Sequence, residues 1–338
     1  MQTIYEHIKE LKHVQGLSKH EQFIQGFINA INNKRFVEGE QLPSINSLVS
    51  KLGFARETVA KGYRELINQG IVISKNRIGF FLGSIERPVE IKVALVLFAF
   101  DSYQEIFYKT LRNKLGNKAH IDIFFHHNNI DIFNTIIENV RGRYNKYVIA
   151  PIPDNRTKGI LTPFPKEKLL IIDRFVNTGR DISHITQEFF DSSYRVFSNL
   201  YEVIKGYNKM VYYHRPNADT PEEILKAFKK FVLEFGINHE ILPEYLPGSI
   251  KKGNVYFTIN NAELWMMVKD AKNKKLNLGK DIGILSHNDD LVKEIILDGI
   301  TTYSTSFELM AEKAAEYIIK GEKIQETIPT VLIRRGSL

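Results

Sequence analysis

One stretch of the sequence, GEQLPSINSLVSKLGFARETVAKGYRELINQGIV at residues 39–72, decides how the N-terminal part of the chain folds. Pro43 breaks the chain, and Ser44 behind it is a helix-capping residue ahead of an apolar pair, so we predict a short helix from there to Gly53. Apolar residues at helical spacing predict a second helix over residues 55–69. The stretch therefore predicts two helices joined by a tight turn.

The segments on either side extend this unit. Residues 17–35 place apolar residues on one face of a helical period, which predicts a preceding amphipathic helix. Residues 71–74 and 79–82 are short β-prone runs, and a basic turn at 75–78 lies between them. The order helix, helix, turn, helix, hairpin predicts a winged helix-turn-helix domain over residues 1–84.

More than half of the excess positive charge lies in this region. The 338 residues carry a net charge of +7, and residues 1–88 hold 12 Lys and Arg against 8 Asp and Glu, a net charge of +4. A small basic domain ahead of a nearly balanced larger one is typical of a head that binds a polyanion. The chain has no cysteine, which excludes disulfides, thiolate metal sites and cysteine nucleophiles. Apolar runs fall far short of the roughly 18–20 residues of a membrane span and the start lacks a signal-peptide core, so we expect a cytoplasmic protein.

The larger C-terminal region alternates between strand and helix patterns. Its first apolar run, at 91–100, is typical of a strand covered on both faces. Two alternating runs, at about 90–188 and 206–304, predict parallel sheets in two lobes. We expect a linker at residues 85–89 and a two-lobed domain at 90–338, so the predicted fold class is α/β with a winged head.

The head resembles the DNA-binding domain of GntR-type bacterial regulators. The family pattern is a glycine, LPS, two leucines four apart, a glycine, then S-R-x-T-V, and a later leucine and glycine. Twelve positions agree in register: Gly39, Leu42, Pro43, Ser44, Leu48, Leu52, Gly53, Arg56, Thr58, Val59, Leu66 and Gly70. Ala55 departs from the usual capping serine. Asn46 and Ala60 stand where arginine is frequent, and Arg77 where glycine is common, which leaves the operator sequence open.

This resemblance implies which residues contact DNA. Arg56, Glu57 and Thr58 stand in the first turn of the second motif helix, which enters the major groove in such folds. Arg56 would fork onto O6 and N7 of guanine, while hydroxyls and lysines would contact phosphates. The DNA-binding candidates are Ser44, Asn46, Arg56, Glu57, Thr58, Lys61, Lys75, Arg77 and Gly79. Each has a plainer alternative, such as a solvated charge or a helix-start residue away from DNA.

The larger region resembles the effector domain of LacI-type regulators and of periplasmic sugar-binding proteins. Four short segments carry the resemblance in the expected order: LLIIDR at 169–174, INNAEL at 259–264, LGKDIGILSHNDD at 278–290 and IRRGS at 333–337. A GntR-type head on such a domain is the architecture of arabinose-repressor-like regulators. The resemblance implies a dimeric repressor of carbohydrate utilisation genes, with a sugar or sugar-derived effector between its lobes.

The candidates for effector contact follow the predicted strands, because ligands bind at the carboxyl ends of strands in open α/β sheets. Carboxylates, a guanidinium, an amide and aromatic rings suit the hydroxyls and the C–H face of a sugar. These candidates are Phe100, Asp101, Tyr103, Asp154, Arg174, Asn260 and Asp289. Asp101 has the alternative role of a helix cap, and Asp173 beside Arg174 that of a hinge salt bridge.

Sequence motifs for catalysis are missing from the chain. It contains no phosphate-binding loop, zinc-hydrolase or serine-hydrolase motif, and the adjacent residues 287–290 cannot readily converge on one metal ion. We therefore expect no enzymatic activity, cofactor, metal or membrane partner, but a double-stranded DNA operator, a small effector and a second copy of the chain. Two alternatives stay open: a body that only dimerises, and a sugar-binding or enzymatic α/β protein whose head binds a protein partner.

Overall fold

A computed structural model of the chain describes residues 4–13, 18–32, 36–83, 91–215 and 220–338. The predicted linker at 85–89 and the predicted boundary residues 84 and 90 lie outside these segments. So do both ends of the helix predicted at 17–35.

The described part of the N-terminal domain contains four α-helices and a hairpin. They are α1 (Ile4–Glu10), α2 (Lys19–Asn32), α3 (Ile45–Leu52), α4 (Arg56–Asn68), β1 (Val72–Lys75) and β2 (Gly79–Leu82), with a 3-10 turn at Leu11–His13. β1 and β2 are antiparallel, so α2, α3, α4 and the hairpin follow the predicted order. Helix α1 was not predicted. It packs on α2 at Gly26, where an ideal Cβ would lie 2.7 Å from Ile8 Cα.

An aromatic cluster fastens the hairpin to the helices of the head. Tyr63 of α4 is buried and stacks on Phe80 of β2 at 4.0 Å between ring centroids and 7° between planes. Phe23 and Phe27 of α2 meet the same ring edge-on, each at 5.6 Å. Aromatic pairs of this kind add about 0.5–1.5 kcal/mol beyond their buried area. The wing therefore has a fixed position relative to α4.

The first lobe of the larger domain is a parallel six-stranded sheet in the order β13-β7-β6-β5-β3-β4. Its strands are β3 (Ile91–Leu97), β4 (Ala119–Phe125), β5 (Lys146–Ile149), β6 (Leu169–Asp173), β7 (Ser183–Gln187) and β13 (Gln325–Ile328). Its helices are α5 (Ser102–Leu115), α6 (Ile130–Val140), α7 (Thr157–Leu161) and α13 (Phe307–Lys320). Val93 and Leu95 of β3 join one apolar cluster while Ala94 and Val96 join the other, which explains the continuous apolar run of this strand.

The second lobe is a six-stranded sheet in the order β14-β12-β11-β10-β8-β9. Its strands are β8 (Lys209–Tyr213), β9 (His239–Leu242), β10 (Asn254–Thr258), β11 (Gly283–His287), β12 (Thr301–Thr305) and β14 (Thr330–Ile333). Strand β14 runs antiparallel to β12, and the other pairs are parallel. Its helices are α8 (Phe190–Asn199), α9 (Tyr201–Ile204), α10 (Glu222–Glu234), α11 (Asn261–Asn273) and α12 (Leu291–Ile295).

Three chain crossings connect the two lobes. The chain passes from β7 to α8, returns from β12 to α13, and passes again from β13 to β14. The hydroxyls of Thr305 and Thr330, on two of these crossings, are 2.9 Å apart and hydrogen bonded. Residues after 304 are therefore shared between both lobes, an arrangement that the two predicted runs do not include.

The head contacts the first lobe through side-chain amides. Asn145, just before β5, donates its Nδ2 hydrogen to Asn29 Oδ1 of α2 at 3.1 Å, and Asn29 is buried. Gln25 donates to the same oxygen at 3.1 Å, and Asn145 Oδ1 accepts from Lys92 N at 2.8 Å. The head thus lies at the amino ends of the first-lobe strands, opposite the edge where a ligand is expected.

Candidate functional site

The start of α4 presents the predicted DNA-reading residues to solvent. Arg56 is the first residue of α4, and its Nη1 donates to Asn46 Oδ1 of α3 at 2.6 Å. Both side chains are exposed, as is Glu57. The bond holds the guanidinium beside the helix start, and the remaining N–H groups of the fork can still donate to a base edge.

Helix α4 begins without a side-chain cap. Ala55 occupies the N-cap position and provides no acceptor for the amides of the first turn, which includes the half-buried Thr58. Amide groups at a helix start carry partial positive charge and bind phosphate. Ser44 caps α3 by accepting from Ser47 N at 3.2 Å, which leaves its hydroxyl hydrogen for a phosphate oxygen.

The hairpin carries the remaining DNA candidates except the exposed Lys61 of α4. Lys75 and Arg77 are exposed, and Lys75 Nζ lies 4.6 Å from the ring centroid of Phe81. Arg77 has φ 62° and Gly79 has φ 132°, so the tip of the wing uses left-handed backbone that favours glycine at the second position. The hairpin therefore projects two cations into solvent.

The wing is also tied to the segment that leads into α3. Leu42 N donates to Phe80 O at 2.8 Å, and Gln41 Nε2 donates to Ile78 O at 3.3 Å. This places the β2 side of the wing next to the chain just before Ser44. The structure thus joins the wing, the start of α3 and the start of α4 into one exposed surface.

The carboxyl ends of the strands in both lobes form a second candidate site, the interlobe cleft. Asp289 follows β11, and its two oxygens accept from Arg335 Nη1 at 2.7 Å and Nη2 at 2.8 Å. Thr302 Oγ1 donates to the same carboxylate at 2.8 Å. Burial raises the pKa of Asp289, but the bonds from Arg335 and Thr302 outweigh it, so the pKa lies below its ordinary value. This carboxylate anchors the C-terminal segment to the second lobe, and its contact with an effector stays a prediction.

Three other polar candidates already have protein partners. Asp101 caps α5 in a reciprocal capping box, which is the alternative considered for it. Asp154 accepts from Arg156 N at 2.7 Å and from the Arg156 guanidinium, and the backbone bond is the first cause of its lowered pKa. Asn260 caps α11 by accepting from Glu263 N at 3.2 Å. Their short side chains stabilise the first turns after the strands, whereas the Asn260 amide hydrogens remain available as donors.

The two aromatic candidates lie at the first-lobe side of the cleft. Phe100 is 47% exposed and contacts Tyr108 edge-on at 6.1 Å. Tyr103 lies 4.8 Å from Phe307, the residue at which the chain re-enters the first lobe. A cavity at this position is lined by Leu97, Phe98, Tyr103, Gln104, Phe107, Ala150, Ile172, Asp173, Phe307 and Met310.

Arg174 is the candidate that faces both lobes. It follows β6, and its Cζ lies 5.7 Å from the ring centroid of Phe189 on the first crossing between lobes. The ring centroid of Phe189 in turn lies 6.4 Å from that of His287 at the end of β11. Asp173 before it has φ 67°, a left-handed conformation that is uncommon for a non-glycine residue, and its carboxylate accepts from Gln187 Nε2. The guanidinium therefore lies beside the first chain crossing, where the two lobes meet.

Three polar residues at this junction were missed by the strand-end reasoning. Gln187 Oε1, His287 Nδ1 and Asn288 Oδ1 are buried atoms without a hydrogen-bond partner, and the Gln187 and His287 residues are only 8% and 3% exposed. Leaving a buried polar atom unsatisfied costs about 1–3 kcal/mol. Buried polar atoms of this kind retain hydrogen-bonding capacity that the protein itself does not use. Asn288 directly precedes Asp289 in the segment LGKDIGILSHNDD, so the rule that selected Asp289 after the strand could also have selected Asn288.

The imidazoles around Arg174 are neutral. Burial lowers the pKa of His287 to about 3, and the charges of Lys293 and Arg174 act in the same direction. Burial likewise lowers the pKa of His126 to about 4, against a bond between its Nε2 and Ala150 O at 3.0 Å. Arg174 is therefore next to rings that add no positive charge.

Within the described segments, His, Asp and Glu residues form no group of three suited to hold a metal ion. The helices of these segments are all too short or too polar to cross a bilayer.

These features define a two-domain protein in which a winged helix-turn-helix head precedes a two-lobed domain of the periplasmic-binding-protein type. Residues 20–82 match the family described as bacterial regulatory proteins, gntR family, so the head is a GntR-type DNA-binding domain. A comparison with curated proteins gives no significant match.

Solved structures match the larger domain in fold. A LacI family transcriptional regulator from Lactobacillus casei with bound glucose aligns with a TM-score of 0.63 and 12% identity, over 73% of this chain and 100% of that one. The trehalose repressor from Escherichia coli aligns with a TM-score of 0.61 and 12% identity, over 72% and 100%. The lac repressor dimer bound to operator and an anti-inducer aligns with a TM-score of 0.59 and 13% identity, over 73% and 94%. The predicted fold class is therefore confirmed.

Proposed function

We propose that the protein is a DNA-binding transcription regulator, a repressor of carbohydrate utilisation genes, whose affinity for its operator is set by a sugar or sugar-derived effector in the interlobe cleft. The observation that carries the proposal is the exposed Arg56–Asn46 pair at the uncapped start of α4, within a domain that matches the gntR family. The fold of the body supports the effector half, since a structure of that fold has bound glucose. We infer no enzymatic role for the cleft.

On the DNA side, the three parts of the exposed head surface have different tasks. The Arg56 guanidinium reads a base edge in the major groove, where a bidentate contact to guanine contributes about 1–3 kcal/mol of discrimination. The amides at the start of α4 and the Ser44 hydroxyl bind phosphate. Lys75 and Arg77 extend the positive charge along the backbone or into the minor groove.

On the effector side, the unsatisfied atoms of Gln187, His287 and Asn288 supply acceptors, and Phe100 supplies an exposed ring at the mouth. Gln187 belongs to the first lobe and Asn288 to the second, so one ligand that bonds to both favours a closed arrangement of the lobes. Coupling between an effector site and a DNA site typically changes the affinity for DNA 5–150-fold.

Replacing Arg56 tests the DNA half of the proposal. We expect Arg56→Ala to weaken binding to the upstream region of its own operon about 10–100-fold in a gel shift, because one base contact is lost. Lys75→Gln is the control, since losing a phosphate contact weakens specific and nonspecific DNA equally. Undiminished specific binding by Arg56→Ala, or a wild-type protein without any specific footprint, would favour a head that binds a protein partner.

Adding sugars to the same gel shift tests the effector half. We expect at least one sugar or sugar derivative to change operator affinity 5–150-fold. If no member of a broad panel shifts either operator affinity or thermal stability, the body only dimerises.

A second copy of the chain is expected to cover the exposed apolar patch of α12. Leu291, Val292, Ile295 and Leu297 are 69%, 49%, 66% and 60% exposed within a single short segment. Contiguous exposed apolar surface marks an interaction site. The occupant we propose is the same patch of a symmetry-related copy, since a dimer aligns two heads with two half-sites and a protein of this fold is known as an operator-bound dimer.

We expect the double change Leu291→Glu with Ile295→Glu to convert the dimer to monomer in sedimentation velocity at micromolar concentration, and operator affinity to fall with it. Leu233→Glu is the matched control, because Leu233 is a singly exposed leucine of α10 at 76% exposure and should leave the dimer intact. A wild-type monomer, or a double variant that still sediments as a dimer, would contradict the assignment.

A further inference from the structure

Arg174 differs from the other arginines that follow or face the strand ends. Arg335 is paired with Asp289, Arg215 with Glu263 at 2.9 Å, and Arg156 with Asp154 at 3.2 Å. For Arg174, no carboxylate among the described residues lies within ion-pairing distance of the guanidinium. The guanidinium instead lies over the face of the Phe189 ring, with its Cζ 5.7 Å from the ring centroid.

The surroundings of this guanidinium do not compensate for its charge. It is only partly exposed, it lies against an aromatic ring, and the nearby His126 and His287 are buried. The adjacent carboxylate of Asp173 is bonded to the Gln187 amide. A partly desolvated guanidinium is normally matched by a carboxylate or phosphate that accepts two parallel N–H bonds.

The unsatisfied atoms near Arg174 require the opposite hydrogen-bonding character. Gln187 Oε1 and Asn288 Oδ1 are acceptors, and a neutral His287 Nδ1 accepts in one of its tautomers. Acceptors of this kind need hydroxyl donors. A ligand that satisfies the whole group therefore carries several hydroxyls and one anionic group.

We propose that the effector is an anionic carbohydrate, a sugar phosphate or a sugar acid, whose charged group is bound by the Arg174 fork while its hydroxyls donate to Gln187, His287 and Asn288. The inference rests on the proposed effector function and specifies the chemical class of that effector. A carboxylate, or two oxygens of a tetrahedral phosphate, presents the pair of acceptors that the guanidinium fork binds with two parallel N–H bonds.

Isothermal titration of the full-length protein with matched ligands tests the inference. The panel holds glucose, glucose 6-phosphate and glucuronate, the corresponding arabinose series, and inorganic phosphate. We expect a phosphorylated or carboxylated sugar to bind about 10–100-fold more tightly than its neutral parent, as one charge-assisted bidentate contact allows. The derivative that binds more tightly shows whether the site prefers a phosphate or a carboxylate. Inorganic phosphate alone should bind weakly because it lacks the sugar hydroxyls.

Substitutions at Arg174 complete the test. Arg174→Gln should remove the 10–100-fold advantage and leave the affinity for the neutral parent unchanged, and Arg174→Lys should retain part of it because the charge stays while the fork is lost. Arg112→Gln removes the same charge from the exposed face of α5 and should change nothing. If circular dichroism shows that Arg174→Gln does not fold, two measurements still decide the question. One is the affinity of Arg174→Lys for the anionic sugar. The other is the affinity of the wild-type protein for the anionic sugar, which should fall between 50 and 250 mM salt while its affinity for the neutral parent stays unchanged.

Two different failures can be told apart. A neutral sugar that binds as tightly as its anionic derivatives, with no effect of Arg174→Gln, overturns the anionic class while leaving an effector-controlled regulator in place. If no member of the panel binds, the inference is overturned. An anion that binds through Arg174 without changing operator affinity supports the inference and contradicts the regulatory role.

Discussion

Replacing Arg335 with alanine is expected to destabilise the two-lobed domain by about 3–5 kcal/mol, because the substitution leaves the Asp289 carboxylate in the protein without its cation. The Arg335 and Asp289 side chains are only 13% and 20% exposed, and the guanidinium also donates to Ile300 O at 3.0 Å. Urea unfolding followed by circular dichroism measures the loss. Lys320→Ala in the exposed Glu316–Lys320 pair of α13 is the control and should change stability by no more than about 0.5 kcal/mol.

The same pair predicts a pH dependence. The pKa of Asp289 is lowered in the folded protein, so its contribution to stability is complete above the unfolded pKa of about 3.9 and disappears as the pH falls through the folded value. The difference in stability between wild type and Arg335→Ala should therefore narrow below about pH 4. A difference that is independent of pH, or an Arg335→Ala protein as stable as wild type at pH 7, would show that Asp289 is not held by this bond.

The second large effect is expected in the head. Gly26→Ala should destabilise the head by about 1–3 kcal/mol, since the added methyl group would lie 2.6–2.9 Å from Ile8, including its backbone Cα and N. A flexible side chain could move aside, but the backbone of α1 can do so only by leaving α2. The measurement is thermal unfolding together with operator affinity.

Gly159→Ala provides the control for this substitution. Gly159 lies in α7, and nothing is within 4 Å of the position its Cβ would take. Alanine there should be neutral or stabilise by up to about 1 kcal/mol through its helix propensity. If Gly26→Ala and Gly159→Ala behave alike, then α1 does not pack on α2 as closely as described.

Local patterns in the sequence were sufficient for most of the head. The Ser44 cap, Gly53 with its left-handed φ of 68°, and the spacing of buried leucines each depend on neighbours within a few residues. Helix α1 was missed because Ile4 and Ile8 share its buried face with the polar His7, and a mixed-charge segment with so few aliphatic residues gives little periodicity. Its stability comes from contact with α2, which the sequence pattern does not contain.

The cleft was harder to predict because its assignments depend on distant residues. The reasoning from strand ends selected the loop after β11 but could not distinguish between Asn288 and Asp289. Arg335, 46 residues later in the chain, donates to the Asp289 carboxylate, whereas the Asn288 side-chain oxygen has no hydrogen-bond partner. Likewise, the distribution of residues after 304 over both lobes depends on pairing of β13 and β14 with strands from different sheets, which short-range periodicity does not encode.

The amide contact between Asn29 and Asn145 links the position of the head to the position of the first lobe. The head is hydrogen bonded to the first lobe at the end remote from the cleft, so under the proposed function it moves with that lobe. In the proposed dimer, joined through α12 of the second lobes, a rotation at the three crossings would change the separation of the two heads. Since half-sites are read about 34–36 Å apart or at multiples of that spacing, the proposed closure would shift the two α4 helices relative to the spacing of the half-sites.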